Sequence, residues 1–476
     1  MFKLFLWNLI GRFLNQFVTL GVSVVLTRLL SPSEFGIIGM AFTFIGFSSI
    51  FLDLGFKSTI IQKQEISEKQ LSSIFILNLG VGLFLALLFV LFAGFFEHYY
   101  EIQGLAKVTQ ILSLLFVING FALVPSALLS KKLMFKELTF VNGLSAIISG
   151  IIAITMAFLG FGIWSLVAQA IIVALLQVVG YQYFTKWKPS SFFDLSSIKS
   201  LWNYSIYMFS ASVLDGLYSR LDVIIIGKIF PVAQLGLYTR AQSLDTFVKQ
   251  YSSGTLVSVF FPYLSKYQAD DKKITSEYIY YLHIVSFVSV FLTGLLYLIA
   301  KPFFLCLFTE TWLESSVFFK IMALSGFVYP VSALMVNILS VRGKSKAFFN
   351  LEIIKKVLIS FMFLVGFKNG IIPFLYGMAV IYWIILPLNA YFVKNELNIK
   401  VFDQLKIIFR YVVIGAIIAF CGELCVGLIT NLHLIFQLII LSCYFSIAYF
   451  MLNYALKTTG FVSLLEKINL KRYFPK

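Results

Sequence analysis

Charge is scarce in this sequence. Asp, Glu, Lys and Arg together make up 12% of its 476 residues, while apolar residues make up 60%. Soluble domains run near about 25% charged and about 45–50% apolar, so this chain has too little polar material to cover a water-soluble surface. Cysteine is scarce as well: Cys306, Cys421, Cys425 and Cys443 all lie inside apolar runs. Cys421 and Cys425 stand one helical turn apart, with no His or acidic residue at metal-ligand spacing, and read as small hydrophobic residues. The three histidines are scattered, and no Asp-x-Asp sugar-nucleotide motif occurs. Gly343-Lys344-Ser345 resembles the end of a phosphate-binding loop, but the first glycine of that motif is replaced by Ile338, and an apolar run follows. Any ATP hydrolysis would have to come from another chain. Long polar connections are missing too: the longest, around 186–200 and 394–405, cannot hold a soluble catalytic domain. A cleavable leader is not expected either. The first apolar run begins almost at Met1, carries Arg12, and has no small-residue cleavage site.

What the chain does have is a succession of apolar runs long enough to cross a bilayer as helices. The expected fold is an all-α polytopic membrane protein with about fourteen transmembrane helices. Their windows are 4–30, 35–55, 71–96, 105–129, 138–159, 161–185, 201–226, 233–264, 280–300, 317–340, 348–367, 371–393, 405–429 and 434–456. The formal charge of +16 follows this count. One alternate set of connections holds Lys57, Lys63 and Lys69; Lys131, Lys132 and Lys136; Lys186, Lys188 and Lys199; and Lys266, Lys272 and Lys273. It continues through Arg342, Lys344 and Lys346, then Lys394, Lys400 and Lys406, and ends in the tail 457–476. The other set holds only Arg28, Lys107, Lys228, Lys301 and Lys368, among Glu34, Glu97, Glu101, Glu310 and Glu314. Cations collect in cytoplasmic loops, so both termini are expected in the cytoplasm. The same basicity in a soluble chain would suggest nucleic acid; here topology accounts for it.

The chain also repeats itself. VLTRLLSPSEFGI at 25–37 aligns without a gap to IIGKIFPVAQLGL at 225–237, pairing Arg28 with Lys228, Glu34 with Gln234 and Gly36 with Gly236. An offset of six helices keeps both copies in the same orientation. Two pseudo-symmetric six-helix lobes follow, 1–185 and 201–394, joined by a cytoplasmic linker at 186–200, with a cavity between them near the midplane. Two extra helices and a basic cytoplasmic tail occupy 401–476.

Ions inside spans mark function, because a charge at mid-helix costs about 2.5–3.5 kcal/mol on insertion scales. In the first window Asn8, Arg12, Asn15 and Thr19 share one face, bordered by Gln16. In the seventh, Asp215, Tyr218, Ser219 and Asp222 do the same, and Asp215 is the repeat partner of Asn15. Arg220 points elsewhere, towards a neighbouring helix or an end. The eighth window adds Arg240, Gln242, Asp245, Lys249 and Gln250. Asp245 and Lys249, spaced i, i+4, read equally as a self-neutralised pair or as cavity groups. For Arg240 the reading is a place near the extracytoplasmic mouth, in water. Asp53 reads as a helix-end residue ahead of a ligand contact, and Arg28 and Lys228 as snorkelling interfacial cations. Arg and Lys would attract phosphate oxygens, and a buried carboxylate would titrate or bind Na⁺. Trp164, Trp202 and the 53 Phe and 24 Tyr residues read first as bilayer packing and interfacial belts.

TRLLSPSEFGIIGMAF at 27–42, FLDLGF at 51–56, GFGIWSLVAQ at 160–169 and LDVIIIGKIF with LGLYTRAQSL across 221–244 resemble the polysaccharide-transporter branch of the MOP superfamily. The resemblance is to Wzx-type flippases of the lipopolysaccharide and teichuronic-acid kind, and covers roughly the first 390 residues. It implies a non-enzymatic fourteen-helix exporter that flips undecaprenyl-pyrophosphate-linked oligosaccharide across the bacterial inner membrane by alternating access. It also implies H⁺ or Na⁺ coupling with no other cofactor and no metal, and work beside a polysaccharide polymerase and chain-length machinery. Related peptidoglycan-precursor flippases line the first helix with several arginines, where this chain has one mid-helix arginine, Arg12, flanked by Asn8, Asn15 and Gln16. On this reading Arg12, Asn15, Gln16, Tyr218 and Lys249 serve the substrate and Asp215 or Asp222 the coupling ion, with Asp53, Arg220, Arg240 and Asp245 as secondary candidates. A multidrug–cation antiporter of the same superfamily is the alternative, which would favour an acidic, aromatic cavity. A membrane-bound polymerase or transferase is disfavoured by the short loops.

Overall fold

The apolar windows become helices whose ends are fixed by local chemistry. The computed structural model describes residues 17–62, 66–190, 193–194, 209, 213, 216–249, 270–366 and 370–467, and all regular structure among them is helical. The first half holds α1 (Phe17–Leu29), α2 (Pro32–Asp53), α3 (Phe56–Gln62), α4 (Glu68–Tyr100), α5 (Leu105–Leu112), α6 (Leu114–Lys131), α7 (Phe135–Phe158), α8 (Trp164–Thr185), α9 (Leu221–Ile229) and α10 (Val232–Lys249). The second half holds α11 (Asp271–Leu307), α12 (Leu313–Ala323), α13 (Val328–Val341), α14 (Ser345–Gly366), α15 (Ile371–Leu397), α16 (Val401–Ile429), α17 (Leu434–Ala455) and α18 (Thr459–Lys467).

Among the described residues, 10 helical stretches are long and apolar enough to cross a membrane. The four remaining sequence windows contain α1, α9, α10 and α14. The windows of α1, α9 and α10 lie partly outside the described residues, and α14 carries Lys346, Glu352, Lys355 and Lys356.

The ends show why the sequence breaks where it does. Ser31 caps α2 ahead of Pro32: its hydroxyl accepts from the Glu34 amide at 3.4 Å, and its own amide donates to the Glu34 carboxylate at 2.8 Å. Two otherwise orphaned amides are satisfied by that exchange. Ser67 and Gln70 repeat the arrangement at α4. Gly160 and Gly162, with φ of 83° and 55°, form the turn between α7 and α8 near the split read from the sequence. α11 begins nine residues before its apolar window because Asp270 caps it, accepting from the Lys273 amide at 2.9 Å. The window at 317–340 is two helices, parted at Leu324–Phe327.

The chain divides into two compact units, Met1–Thr239 and Arg240–Lys476, with the division falling inside α10. In the first unit α4 packs on α6, α6 on α8, α7 on α8 and α9 on α2. Glycines let these helices approach closely, as is common where lipid supplies no hydrophobic drive. A Cβ at Gly82 would stand 2.7 Å from the Phe116 carbonyl oxygen. Residues after α8 are strapped across the start of α4: Trp187 donates to Glu68 at 2.8 Å, and the Ser190 and Asp194 amides donate to the Ser72 and Ser73 hydroxyls at 2.9 Å.

In the second unit α11 is the spine, packed by α12, α13, α16, α17 and α18. Two buried tyrosines tie it to its neighbours. Tyr278 donates to Gln404 at 2.8 Å, and Tyr449 to the Phe287 carbonyl at 2.9 Å. Gly294 lies beneath the Phe445 ring and Gly415 against Val290, so α16 and α17 are seated directly on α11.

Candidate functional site

Arg12, Asn15, Gln16 and Asp215, together with Asn8 and Gln250, lie outside the described residues. The other ions of interest are divided between the two units. In the first unit Asp222 is the second residue of α9. Its Oδ1 accepts from the Val223 amide at 2.8 Å, and its Oδ2 accepts the Tyr238 hydroxyl of α10 at 2.5 Å. Tyr238 is only 4% exposed, so the carboxylate is held by a buried phenol. Tyr218 is half-buried just before α9, one turn from Asp222.

Arg220 reaches α2. Its guanidinium lies across the backbone at Gly46, where a Cβ would stand 2.6 Å from Cζ, and Nη1 is 3.4 Å from the Phe42 carbonyl oxygen. A side chain at position 46 would displace it. Asp53 terminates α2 and accepts from the Lys57 amide at 2.9 Å, which starts α3. Lys228, at the end of α9, donates to the Tyr99 carbonyl at 2.5 Å and pairs with Glu101 at 3.3 Å.

The second unit contains Arg240, Asp245 and Lys249, all on α10. Arg240 is 8% exposed, with its guanidinium carbon 4.6 Å from the centre of the Phe308 ring and 5.8 Å from that of Trp312. The expectation of a water-bathed arginine does not fit this burial: aromatic faces, which attract cations electrostatically, take the place of water. Asp245 and Lys249 form an ion pair at 2.5 Å, and Lys249 also lies 5.4 Å from the Tyr382 ring centre. The self-paired arrangement is therefore the one present. Arg240 has its own aromatic surroundings, distinct from those of the Asp245–Lys249 pair.

Several polar groups escaped the sequence reading. Lys355 pairs with Glu352 at 2.8 Å within α14. Their i, i+3 spacing inside an apolar window was a readable signal. Lys320 of α12 pairs with Glu423 of α16, and Tyr238 meets Asp222; partners this far apart leave no spacing signal. Among the described residues no group of three or more His, Cys, Asp or Glu comes together as a metal site would require.

The stretches that carry the family resemblance prove to be helix ends and crossings. Ser31 to Gly36 caps α2, and 51–56 contains the α2–α3 turn. Gly162 lies against Glu34, where a Cβ would stand 2.6 Å from the carboxylate oxygen. The two repeated phrases touch each other. A Cβ at Gly36 would stand 2.8 Å from Val232 Cγ2, and one at Gly236 would stand 3.0 Å from the Gly36 nitrogen and collide with the Pro32 carbonyl.

Comparison with known proteins agrees with that pattern. The family described as polysaccharide biosynthesis protein matches residues 25–317. The chain is 25% identical over 323 residues to the succinoglycan biosynthesis transport protein ExoT of Rhizobium meliloti, covering 68% of this chain and 65% of that protein. It is 24% identical over 301 residues to the teichuronic acid biosynthesis protein TuaB of Bacillus subtilis, covering 63% of this chain and 62% of that protein. In fold it is similar to the inward closed conformation of the lipid II flippase MurJ, with a TM-score of 0.73 at 16% identity, covering 94% of this chain and 99% of that one. With 25–317 matched, the chain belongs to the polysaccharide biosynthesis protein family.

Proposed function

We propose that this protein is a flippase that moves undecaprenyl-pyrophosphate-linked oligosaccharide across the bacterial inner membrane. The observation that carries the reading is the family match over 25–317, whose relatives are named for succinoglycan transport and teichuronic acid biosynthesis. A fold similar to that of a lipid II flippase supports it. The ions on and beside α9 and α10 are mixed, Arg220, Arg240 and Lys249 with Asp222 and Asp245, which suits an anionic substrate and a coupling cation. A drug–cation antiporter would favour an acidic, aromatic cavity.

On this reading the chain crosses the membrane fourteen times with both termini cytoplasmic, and the lobe 201–394 rocks against the lobe 1–185. Residues 401–476 supply the two added helices and the tail. Arg12, with Asn15 and Gln16, attracts the pyrophosphate. Lys249 joins when the phosphate oxygens replace Asp245, exchanging one anion for another at nearly constant charge. Asp222 or Asp215 takes the coupling H⁺ or Na⁺. The protein has no catalytic step of its own, and polymerase and chain-length proteins consume the exported lipid.

Reconstitution tests this. Vesicles holding the protein and undecaprenyl-pyrophosphate-linked oligosaccharide should expose the glycan to an external impermeant lectin over time, and protein-free vesicles should not. Equal exposure in both would sink the proposal.

A further inference from the structure

Three polar side chains between α7 and α8 take no part in the scheme above. Asn142 Oδ1 accepts the Tyr181 hydroxyl at 2.6 Å and the Gln177 amide at 3.2 Å. Gly180 permits the meeting: a Cβ there would stand 2.6 Å from Val141 Cγ1, so any larger residue would part the helices beside Asn142.

Orientation separates this group from the lipid. Phe140, Leu144, Ile147, Ile151 and Phe158 are the exposed apolar side chains of α7, and Leu175, Val179 and Tyr183 those of α8. Each set forms a single stripe at helical spacing. Asn142 lies two positions from both Phe140 and Leu144, and Gln177 two positions from both Leu175 and Val179. At about 100° per residue, both lie opposite their stripe. Both are nevertheless only half-buried. Asn142 is seven residues from the start of α7 and Gln177 eight from the end of α8, which places them about 10–12 Å along their helices, well inside a bilayer core about 30 Å thick.

The hydrogen bonds present leave the Asn142 amide nitrogen and the Gln177 carbonyl oxygen unused. Polar groups left bare at such depth are costly, so water or a ligand must meet them. Neutral amides with a phenol offer donors and acceptors together but no charge. That chemistry suits sugar hydroxyls, whereas the cations suited to phosphate stand on α9 and α10.

We propose that Asn142, Gln177 and Tyr181 form a glycan-reading patch that hydrogen-bonds the sugar hydroxyls of the carried oligosaccharide and sets how strictly the substrate is chosen. This rests on the flippase reading.

The test compares two probes in reconstituted vesicles: undecaprenyl-pyrophosphate carrying the full repeat unit from the producing cell, and the same lipid carrying its first sugar alone. Gln177→Met keeps size and removes the amide, and Asn142→Leu removes both hydrogen bonds. Each should lower the rate ratio of full-unit to single-sugar probe about 10-fold, the change that one lost contact of about 1.4 kcal/mol produces. The ratio is insensitive to how much protein folds. A ratio unchanged in Gln177→Met would overturn the patch and leave the flippase reading intact. A wild-type protein that moves neither probe would overturn both.

Discussion

Arg240 shows what a single buried ion asks of its surroundings. Its guanidinium lies over Phe308 and Trp312, a contact that contributes about 2 kcal/mol when desolvated and that depends on the flat shape of arginine. Lysine presents a compact, strongly hydrated ammonium instead. Arg240→Lys should therefore melt at lower temperature in detergent and transport less, although the charge is unchanged. A wild-type melting curve for Arg240→Lys would show that the rings are incidental. The Asp245–Lys249 pair makes a second prediction at this scale. Removing one partner of a buried pair strands a charge, at about 3–5 kcal/mol. Asp245→Asn and Lys249→Gln should each be destabilising, and the double variant should be closer to wild type than the sum of the two. Additivity would mean that the pair is not coupled. Asp222 separates packing from transport. Asp222→Asn keeps one oxygen to accept the Tyr238 hydroxyl and gives up only the bond from the adjacent Val223 amide, so it should still fold while losing ion-dependent transport. Full transport by Asp222→Asn would remove Asp222 from the coupling role.

At the scale of elements the decisive groups are the ones with no side chain. Gly36 and Gly236 bring α2 and α10 within backbone contact, and a Cβ at Gly236 meets the Pro32 carbonyl. A backbone carbonyl cannot swing aside as a rotamer can, so Gly236→Ala should sharply reduce the yield of monodisperse protein in detergent. Gly94 in α4 has nothing within 4 Å of where a Cβ would stand. Gly94→Ala should be neutral or stabilising by up to about 1 kcal/mol, the helix-propensity difference. Equal behaviour of the two variants would contradict the crossing. The alignment of the two phrases was legible in the sequence, because gapless repetition shows directly in residue order. That the phrases press on each other was not, since the contact depends on how helices 200 positions apart are packed. Helix positions were likewise legible from apolar runs, but hydropathy registers only the part of a helix that lies in lipid. The polar start of α11, capped by Asp270, and the gap at Leu324–Phe327 inside one apolar run were both invisible to it. Candidate ions were legible for the same reason in reverse: a charge in an apolar run stands out, while its partner on another helix does not.

For the whole molecule the deciding quantity is the number of crossings between two basic loops. Lys188 follows α8, and Lys400 precedes α16. Between them lie six sequence windows, of which the one at 233–264 is the most polar and is described only as far as Lys249. If all six cross, Lys188 and Lys400 lie on the same side of the membrane; if that one stops short, five crossings place them on opposite sides. Cation placement requires the even number, since both positions belong to the lysine-rich set of loops. The four native cysteines, Cys306, Cys421, Cys425 and Cys443, are free and lie within apolar helices, so a cysteine-free background is accessible by Cys→Ala substitution. In that background Lys188→Cys and Lys400→Cys should both resist an impermeant maleimide in intact cells and both react in inverted membrane vesicles. Glu101→Cys, in the turn after α4, should show the reverse. Labelling of Lys188→Cys and Lys400→Cys from opposite sides would mean an odd crossing number. An odd number would leave the second lobe one crossing short of the first, and the two six-helix lobes would have to be abandoned.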